Sequence, residues 1–428
     1  MAQQSGLENL TNKVDWVTVM LYVILVFWGW LNIFSVTYDH TANQSIFDLS
    51  LNSGRQLIFI VVCGLIILSI LIIDMRFYET FAYIIYGAVM FMLILVPIIG
   101  KEVGGNKSWL GVGSFGVQPS EFAKFATALV LARLIGGIGF RMDNLRNQAV
   151  AFAVIIGPML LILLQKDYGT ASVFLVFTIM FYREGMSPFL ILVGIGIVVI
   201  FILTLLVENN WILYGTIGGV WALVMYRHRR KKMKRLAFIT AGAIVLAGTI
   251  TSVEFIFNNL LEPHHQNRVM VLINPDLDQL GAGYNVYQSK VAIGSGGFFG
   301  KGFLDGTMTK LKFVPEQNTD FIFCTIGEEQ GWLGSVFVIS LFVALILRVL
   351  FLAERQKNRF ARVYGYSVAC IFFFHFVVNI GMTIGLFPVI GIPLPFFSYG
   401  GSSLIGFTTL LFILLKLDAH RMQVLQRL

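Results

Sequence analysis

Two short stretches of this 428-residue chain join polar chemistry to an apolar helix. In the first, Gln118-Pro119-Ser120-Glu121-Phe122-Ala123-Lys124, proline and serine suit the opening turn of a helix that soon carries a carboxylate and an amine. Glu121 and Lys124 are three apart and share one face. They fit either a self-contained ion pair at a helix end or the wall of a charged cavity near the outer leaflet, and spacing does not separate the two. In the second stretch, Phe313 to Phe323, Asp320 closes a polar loop and abuts an apolar run. With one side wet and the other dry, such an acid suits a general base beside a substrate hydroxyl. It also suits the N-cap of the following helix, and on this residue alone the cap is favoured.

The remaining polar positions read as structure. Glu328 and Glu329 are adjacent in one apolar segment and point to different faces, so they cannot serve one partner; a hydrogen-bonding role is favoured over catalysis. His375 stands alone, without a His, Cys or carboxylate at metal-ligand spacing, and reads as a satisfied core residue. The run Gly294-Ser295-Gly296-Gly297-Phe298-Phe299-Gly300-Lys301-Gly302 fails as a P-loop, because the slots for the first glycine and the final Ser or Thr hold Ser295 and Gly302. No nucleotide motif appears elsewhere. Energy must come from the substrate or from a gradient.

Membrane helices must position these residues. The chain is 57% hydrophobic and 13% charged, against roughly 25% charged in a soluble domain. A bilayer core of about 30 Å takes about 20 apolar residues per helix. Candidate spans lie near 17–36, 55–73, 78–98, 120–138, 147–165, 169–182, 188–207, 211–226, 236–255, 321–350, 362–385 and 402–417. The expected fold is therefore all-α and polytopic, a single membrane domain over 1–428 with about twelve transmembrane helices and both termini cytoplasmic. The basic run Arg227, Arg229, Arg230, Lys231, Lys232, Lys234 and Arg235 then lies in a cytoplasmic connection. That placement accounts for the net charge of +8 without nucleic acid. The first apolar run lacks a signal-peptide cleavage pattern and is expected to be retained. Cys63, Cys324 and Cys370 sit singly in apolar runs, which offers neither a disulfide framework nor a thiolate metal site. Three outer connections, 99–119, the large loop 256–320 and 386–401, are rich in Gly, Pro and aromatic residues, and function should concentrate there. No internal repeat is evident, which weighs against an inverted-repeat transporter.

These loops carry a resemblance. Gly105-Asn106-Lys107-Ser108-Trp109-Leu110 and then Gln118 to Lys124 resemble the first outer loop and following helix of the SEDS (shape, elongation, division and sporulation) family. Four further blocks agree in order: Gln266 to Met270 with Asn274-Pro275-Asp276, Gly281 through Gly302, Pro315 through Phe323 with the Glu328 segment, and Gly391 through Ser402. Within the family, Gln288-Ser289-Lys290, Gly300-Lys301-Gly302 and Gly306-Thr307 are more similar to the RodA-like elongation branch than to the FtsW division branch. The match covers nearly the whole chain outside roughly 200–255.

The resemblance implies a peptidoglycan glycosyltransferase that polymerises lipid II, an undecaprenyl-pyrophosphate disaccharide-pentapeptide, beside a class B penicillin-binding protein transpeptidase in the bacterial inner membrane. Asp320 matches the family's essential aspartate, Glu121 and Lys124 match residues lining its central cavity, and Trp109 matches a sensitive loop position. Gln118 and Ser398, within the matching blocks, join them as expected substrate-binding residues. Lys124, Arg268 and Lys107 are the cations expected where charge develops on the departing pyrophosphate. A divalent cation, magnesium or manganese, is left open as a helper, since the chain shows no dedicated protein cage for one; no nucleotide is expected. Two features depart from the family pattern. Ser108 replaces an arginine found in some members, and 188–255 holds three apolar segments where one is expected, an inserted helical hairpin added to ten family spans. The rival functions are a lipid II flippase, the division-type polymerase and a non-catalytic scaffold for the transpeptidase.

Overall fold

The computed structural model describes residues 13–38, 45–103, 106–112, 115–207, 210–228, 233–255 and 282–421, with Phe257, Asn259 and Gln266 as isolated positions. The chain divides into two compact units, 1–186 with 285–428, and 187–284. Each is described by itself.

In the larger unit, Asp15 caps α1 (Trp16–Thr37) by accepting the Thr18 amide at 3.1 Å. Two further helices, α2 (Asn52–Ile72) and α3 (Met75–Ile99), keep Ile58, Val61, Leu65, Ile84 and Phe91 on exposed outer faces. Water would penalise such surface; a hydrocarbon solvent does not. Next come α4 (Pro119–Ile135), α5 (Leu145–Leu164), and the run α6 (Tyr168–Val173), a 3₁₀ turn (Phe174–Val176) and α7 (Phe177–Arg183). The smaller unit holds α8 (Pro188–Leu206), α9 (Asn210–His228) and α10 (Met233–Phe255). The chain continues with α11 (Ala282–Ser295), which begins at the border of the units, the short α12 (Thr307–Lys310), α13 (Ile322–Glu354), α14 (Arg359–Thr383) and α15 (Gly401–Ala419).

Among the described residues, seven helices are long and apolar enough to cross a membrane: α1, α2, α3, α5, α13, α14 and α15. The twelve stretches expected as spans each overlap helical residues, but two are not continuous helices. The 169–182 stretch is interrupted by the 3₁₀ turn, and 321–350 is broken inside α13. The loop 99–119, expected to be irregular, forms a small antiparallel sheet of β1 (Lys101–Val103), β2 (Asn106–Val112) and β3 (Phe115–Val117) in the order β1-β2-β3. Pairing satisfies backbone groups that a long excursion at a membrane surface would otherwise leave to water. In the smaller unit, Asn210 pairs with Glu254, Tyr214 with Thr251 and Trp221 with Thr240. As one position rises the other falls, so α9 and α10 run antiparallel.

The break in α13 explains the glycine-rich run. At Gly331 the backbone turns to φ 67°, ψ −160°. A regular helix would join Trp332 N–H to the Glu328 carbonyl and Leu333 N–H to that of Glu329. Instead, Trp332 and Leu333 donate to Gly297 and Phe298 at 2.9 and 3.1 Å, while Lys301 and Gly302 donate to Glu328 and Glu329 at 3.1 and 3.0 Å. The glycine loop is thus spliced into the helical ladder, supplying acceptors and donors to four backbone groups that the break displaces. A Cβ at Gly300 would lie 2.1 Å from the Glu329 carbonyl oxygen, and one at Gly296 2.0 Å from that of Gly327. Those glycines serve close backbone approach rather than a phosphate.

Glu328 fastens the same junction. Its buried carboxylate accepts from Lys301 Nζ at 2.8 Å, Met308 N at 2.8 Å, Thr309 N at 2.9 Å and Thr309 Oγ1 at 2.7 Å, with Thr307 Oγ1 at 3.2 Å. It caps α12 and pairs with the loop lysine. Glu329 faces the other way and accepts a hydrogen bond from Ser35 of α1. Both glutamates therefore have the structural duties, on different faces, that their adjacency predicts.

Candidate active site

The N-terminus of α4 is set by Gln118, which holds the N-cap position, and by Pro119 at the first helical residue, where a missing N–H costs nothing. The Gln118 amide is satisfied from outside its own helix, donating to Ser402 Oγ of α15 at 3.1 Å. One turn in, Lys124 Nζ donates to Glu121 Oε2 at 2.8 Å, and both side chains are sealed from solvent, at 0% and 2% exposure. A buried pair of this kind survives only when the remaining hydrogen-bonding capacity is met.

His375 on α14 meets it, with its Nε2 3.1 Å from Lys124 Nζ and its Nδ1 3.0 Å from the Pro393 carbonyl oxygen. That carbonyl can only accept, so Nδ1 carries the proton, and Nε2 is left to accept from the lysine ammonium. The Phe407 ring lies 4.4 Å from the same ammonium, a cation–π contact in a dry setting. The pair is therefore neither self-contained nor an open wall; it is the centre of a closed polar cluster. His375 is the satisfied core residue expected, but its partner is the very lysine singled out as functional.

The sequence reading missed Asp167. It caps α6, accepting the Thr170 amide at 3.0 Å, accepts from Gln118 Nε2 at 3.1 Å, and lies within electrostatic reach of Lys124. Its signal was present: like Asp320, it is a lone acid between a polar break and an apolar helix.

Asp320 is half-buried at the mouth of α13. It is not the helix cap: that position belongs to Phe321, with no side-chain cap bond. A tight turn displaces it, because the Phe321 amide is drawn back to the Glu316 carbonyl at 3.0 Å. Neighbouring segments hold the main chain around Asp320. Asn379 Nδ2 donates to the Asp320 carbonyl at 2.9 Å and to that of Ile392 at 2.8 Å. Ser398 Oγ donates to the Thr319 carbonyl at 2.6 Å while accepting from Leu394 N at 2.9 Å, and Tyr399 N donates to Asn318 O at 2.9 Å. The carboxylate lies alongside Gly391, where a Cβ would be 3.3 Å from its Oδ2.

One loop consequently joins the two acidic sites. His375 and Asn379 are four apart on α14 and share a face; the first holds Pro393, the second holds Ile392 and Asp320 together. From the other side, Gly169 of α6 approaches so closely that a Cβ would stand 2.0 Å from the Ile390 carbonyl oxygen. The proline-rich loop is thus clamped between α6, α14 and the Asp320 turn.

Of the residues singled out from sequence, Gln118, Glu121 and Lys124 come together, and Ser398 bonds the Thr319 carbonyl next to Asp320. Ser398 acts as a clamp whose hydroxyl both donates and accepts within the protein. Lys107 and Trp109 lie on β2. The lysine Nζ donates to Pro97 O at 2.8 Å and Ile98 O at 3.3 Å, neutralising the carbonyl end of α3; Trp109 pairs with Lys101 and packs on Gly116. Arg268 lies outside the described residues. Among the described residues no three His, Cys, Asp or Glu side chains converge as a metal-binding group.

The family model described as cell cycle protein, which spans FtsW, RodA and SpoVE, matches residues 15–231 and 233–423. Peptidoglycan glycosyltransferase MrdB of Escherichia coli is 35% identical over 360 residues, 84% of this chain and 83% of that protein. Peptidoglycan glycosyltransferase RodA of Treponema pallidum is 32% identical over 391 residues, 86% of this chain and 89% of its own. Among solved structures, one reported for the structural coordination of polymerization and crosslinking by a peptidoglycan synthase complex superposes with a TM-score of 0.70 at 25% identity, covering 96% of this chain and 99% of its counterpart. RodA of Thermus thermophilus shares the fold, with a TM-score of 0.61 at 24% identity over 95% of this chain and 97% of its own. With sequence relatives, fold and the apolar helices all in agreement, this multi-pass membrane chain belongs to the FtsW, RodA and SpoVE family.

Proposed function

We infer that this chain is a peptidoglycan glycosyltransferase of the elongation type, polymerising lipid II into glycan strands. The observation that carries the reading is the half-buried acid Asp320 at the polar mouth of α13, its main chain locked to a proline-rich loop that also reaches Lys124 through His375. A base needs a fixed position and a wet side.

Asp320 accepts the proton of the acceptor's sugar 4-hydroxyl as that oxygen bonds to the anomeric carbon of the growing chain. The bond from that carbon to pyrophosphate breaks, and undecaprenyl pyrophosphate leaves. Lys124, Lys107 and Arg268 are the cations assigned to the developing negative charge. Since Lys124 is sealed against Glu121 and His375, its contact with pyrophosphate requires α4 and α14 to part when substrate enters. Gln118, Trp109 and Ser398 complete the assigned substrate-binding set, with Ser398 acting through the loop it clamps. A divalent cation, magnesium or manganese, would arrive on the pyrophosphate rather than in a protein cage, and a chelator titration of strand synthesis tests that addition.

In this reading both termini are cytoplasmic and the Asp320 mouth faces outward, which side-specific labelling of residues introduced in 386–401 tests. The partner is a class B penicillin-binding protein that cross-links the product, in keeping with the likeness to a chain from a synthase complex. The deciding experiment supplies labelled lipid II to proteoliposomes of the purified complex, wild type beside Asp320→Ala, with the partner's own active site blocked. Long strands from wild type and none from the folded variant are expected. Transbilayer movement without polymer would favour a flippase instead, and normal strands from the variant would remove Asp320 from the mechanism.

A further inference from the structure

A second charged cluster lies at the opposite end of α13 from Asp320. Here the start of α1 and the ends of α13 and α15 surround a cavity of about 320 Å³ lined by Lys13, Asp15, Arg355, Asp418 and Arg421. Two buried carboxylates anchor it. Asp15 accepts from Arg348 Nε at 3.1 Å, from a second nitrogen of that guanidinium, and from Thr18 Oγ1 at 2.6 Å. Asp418 accepts from Arg355 Nε at 2.8 Å, Gln356 Nε2 at 2.7 Å and Arg421 Nη1 at 3.1 Å to each oxygen. Arg355 bridges the two, 3.8 Å from Asp15. Burial alone would raise the Asp15 carboxyl, yet the hydrogen bonds from Arg348 and Thr18 outweigh it and hold the group at about 2. Asp15 is therefore charged at any physiological pH.

The charges do not cancel. Among the described residues of the cluster, Lys13, Arg348, Arg355 and Arg421 stand against Asp15 and Asp418, a surplus of two positive charges. The carbonyl ends of α13 and α15 each subtract about half a charge and the amide end of α1 adds about half, leaving roughly +1.5. Nearby, Lys416 and Asp74 attract each other, and Glu354 beside Arg355 pairs with Arg183. Arg348 and Arg355 already neutralise the two acids; Lys13 and Arg421 are in excess of what they need. Guanidinium forks around a small hollow suit a tetrahedral oxyanion. Basic hollows between helix ends at a membrane face are where lipid phosphates lie.

We propose that this cavity binds a phosphate-bearing anion, the headgroup of an anionic phospholipid or a soluble phosphate, and that the bound anion ties α1, α13 and α15 together at the face opposite the catalytic mouth. The inference stands whether or not Asp320 is the base. The test uses the purified full-length chain, exchanged into phosphatidylcholine vesicles with or without phosphatidylglycerol, and reads retained lipid by native mass spectrometry. In a parallel arm, inorganic phosphate is titrated against the thermal unfolding midpoint in phosphatidylcholine alone. The variant is Lys13→Gln/Arg421→Gln, which leaves the Arg348–Asp15 and Arg355–Asp418 pairs in place; Lys13→Arg/Arg421→Lys is the conservative control. For a lipid occupant, the first variant should hold phosphatidylglycerol about thirty-fold more weakly, at roughly five-fold per cation removed, and the control should restore retention. For a soluble occupant, the same pattern should appear in the phosphate titration instead. If both variants match wild type in both arms, the cluster is a structural ion network and the proposal is wrong.

Discussion

Asp320 and Glu328 lie eight residues apart around the start of one helix, and the surrounding elements secure them in different ways. Glu328 is fully buried, and its two oxygens accept from a lysine, two backbone amides and two hydroxyls, all supplied by the protein. Such an acid is a rivet. At Asp320, the reinforcement is applied to the main chain on either side, through Asn379, Ser398 and Tyr399, while the half-buried carboxylate sits at the loop surface beside Gly391. Glu328 is a fastener, whereas the backbone bonds around Asp320 hold in place the acid proposed as the base.

The comparison breaks or sharpens through substitution. Asp320→Asn keeps size and position but removes the base, and strand synthesis should fall by about 10²–10⁴-fold with an unchanged melting profile in detergent. A fall in stability of similar severity would make Asp320 a fastener after all. Lys124→Met leaves Glu121 buried without its cation, a change that costs about 3–5 kcal/mol when a buried pair loses one partner; fluorescence-detected size exclusion should show most of the protein lost. Adding Glu121→Gln to it should recover much of that folded protein without restoring polymer. Glu328→Gln should destabilise by about 1–3 kcal/mol, read as a lower melting midpoint, with activity per folded molecule within a few-fold of wild type. Activity lost as completely as in Asp320→Asn would erase the distinction between the two acids. The smallest effect on stability is expected at Lys107→Met, where the loss of a cation from the exposed carbonyl end of α3 is worth about 0.3–1 kcal/mol. Strand synthesis should fall beyond that loss, and unchanged synthesis would remove Lys107 from the cations assigned to pyrophosphate.

Local pattern carried much of this fold. Runs of apolar residues marked the helices of both units. Asp320, Glu121 and Lys124 were also visible from their own surroundings, because an ionisable group at an apolar boundary is conspicuous in any membrane sequence. Asp167 was equally conspicuous and was missed for want of a partner: Gln118 and Lys124 are more than forty residues away, and spacing along the chain says nothing about such a pair. The glycine run shows the same gap from the other side. Its failure as a P-loop was legible, but its actual duty, completing the hydrogen bonds of a helix broken at Gly331, depends on a segment some thirty residues downstream.

By itself the sequence determined a membrane solvent, the helices that solvent demands, and which acids and bases sit at their borders, since each follows from hydrophobicity and charge over a few consecutive residues. Only the tertiary structure decided which of those groups meet. That Lys124 is sealed against His375, that Phe321 displaces Asp320 from the cap, and that one proline-rich loop ties both sites together are facts of long-range packing, in which partners distant along the chain share a surface too small to be written in any local pattern.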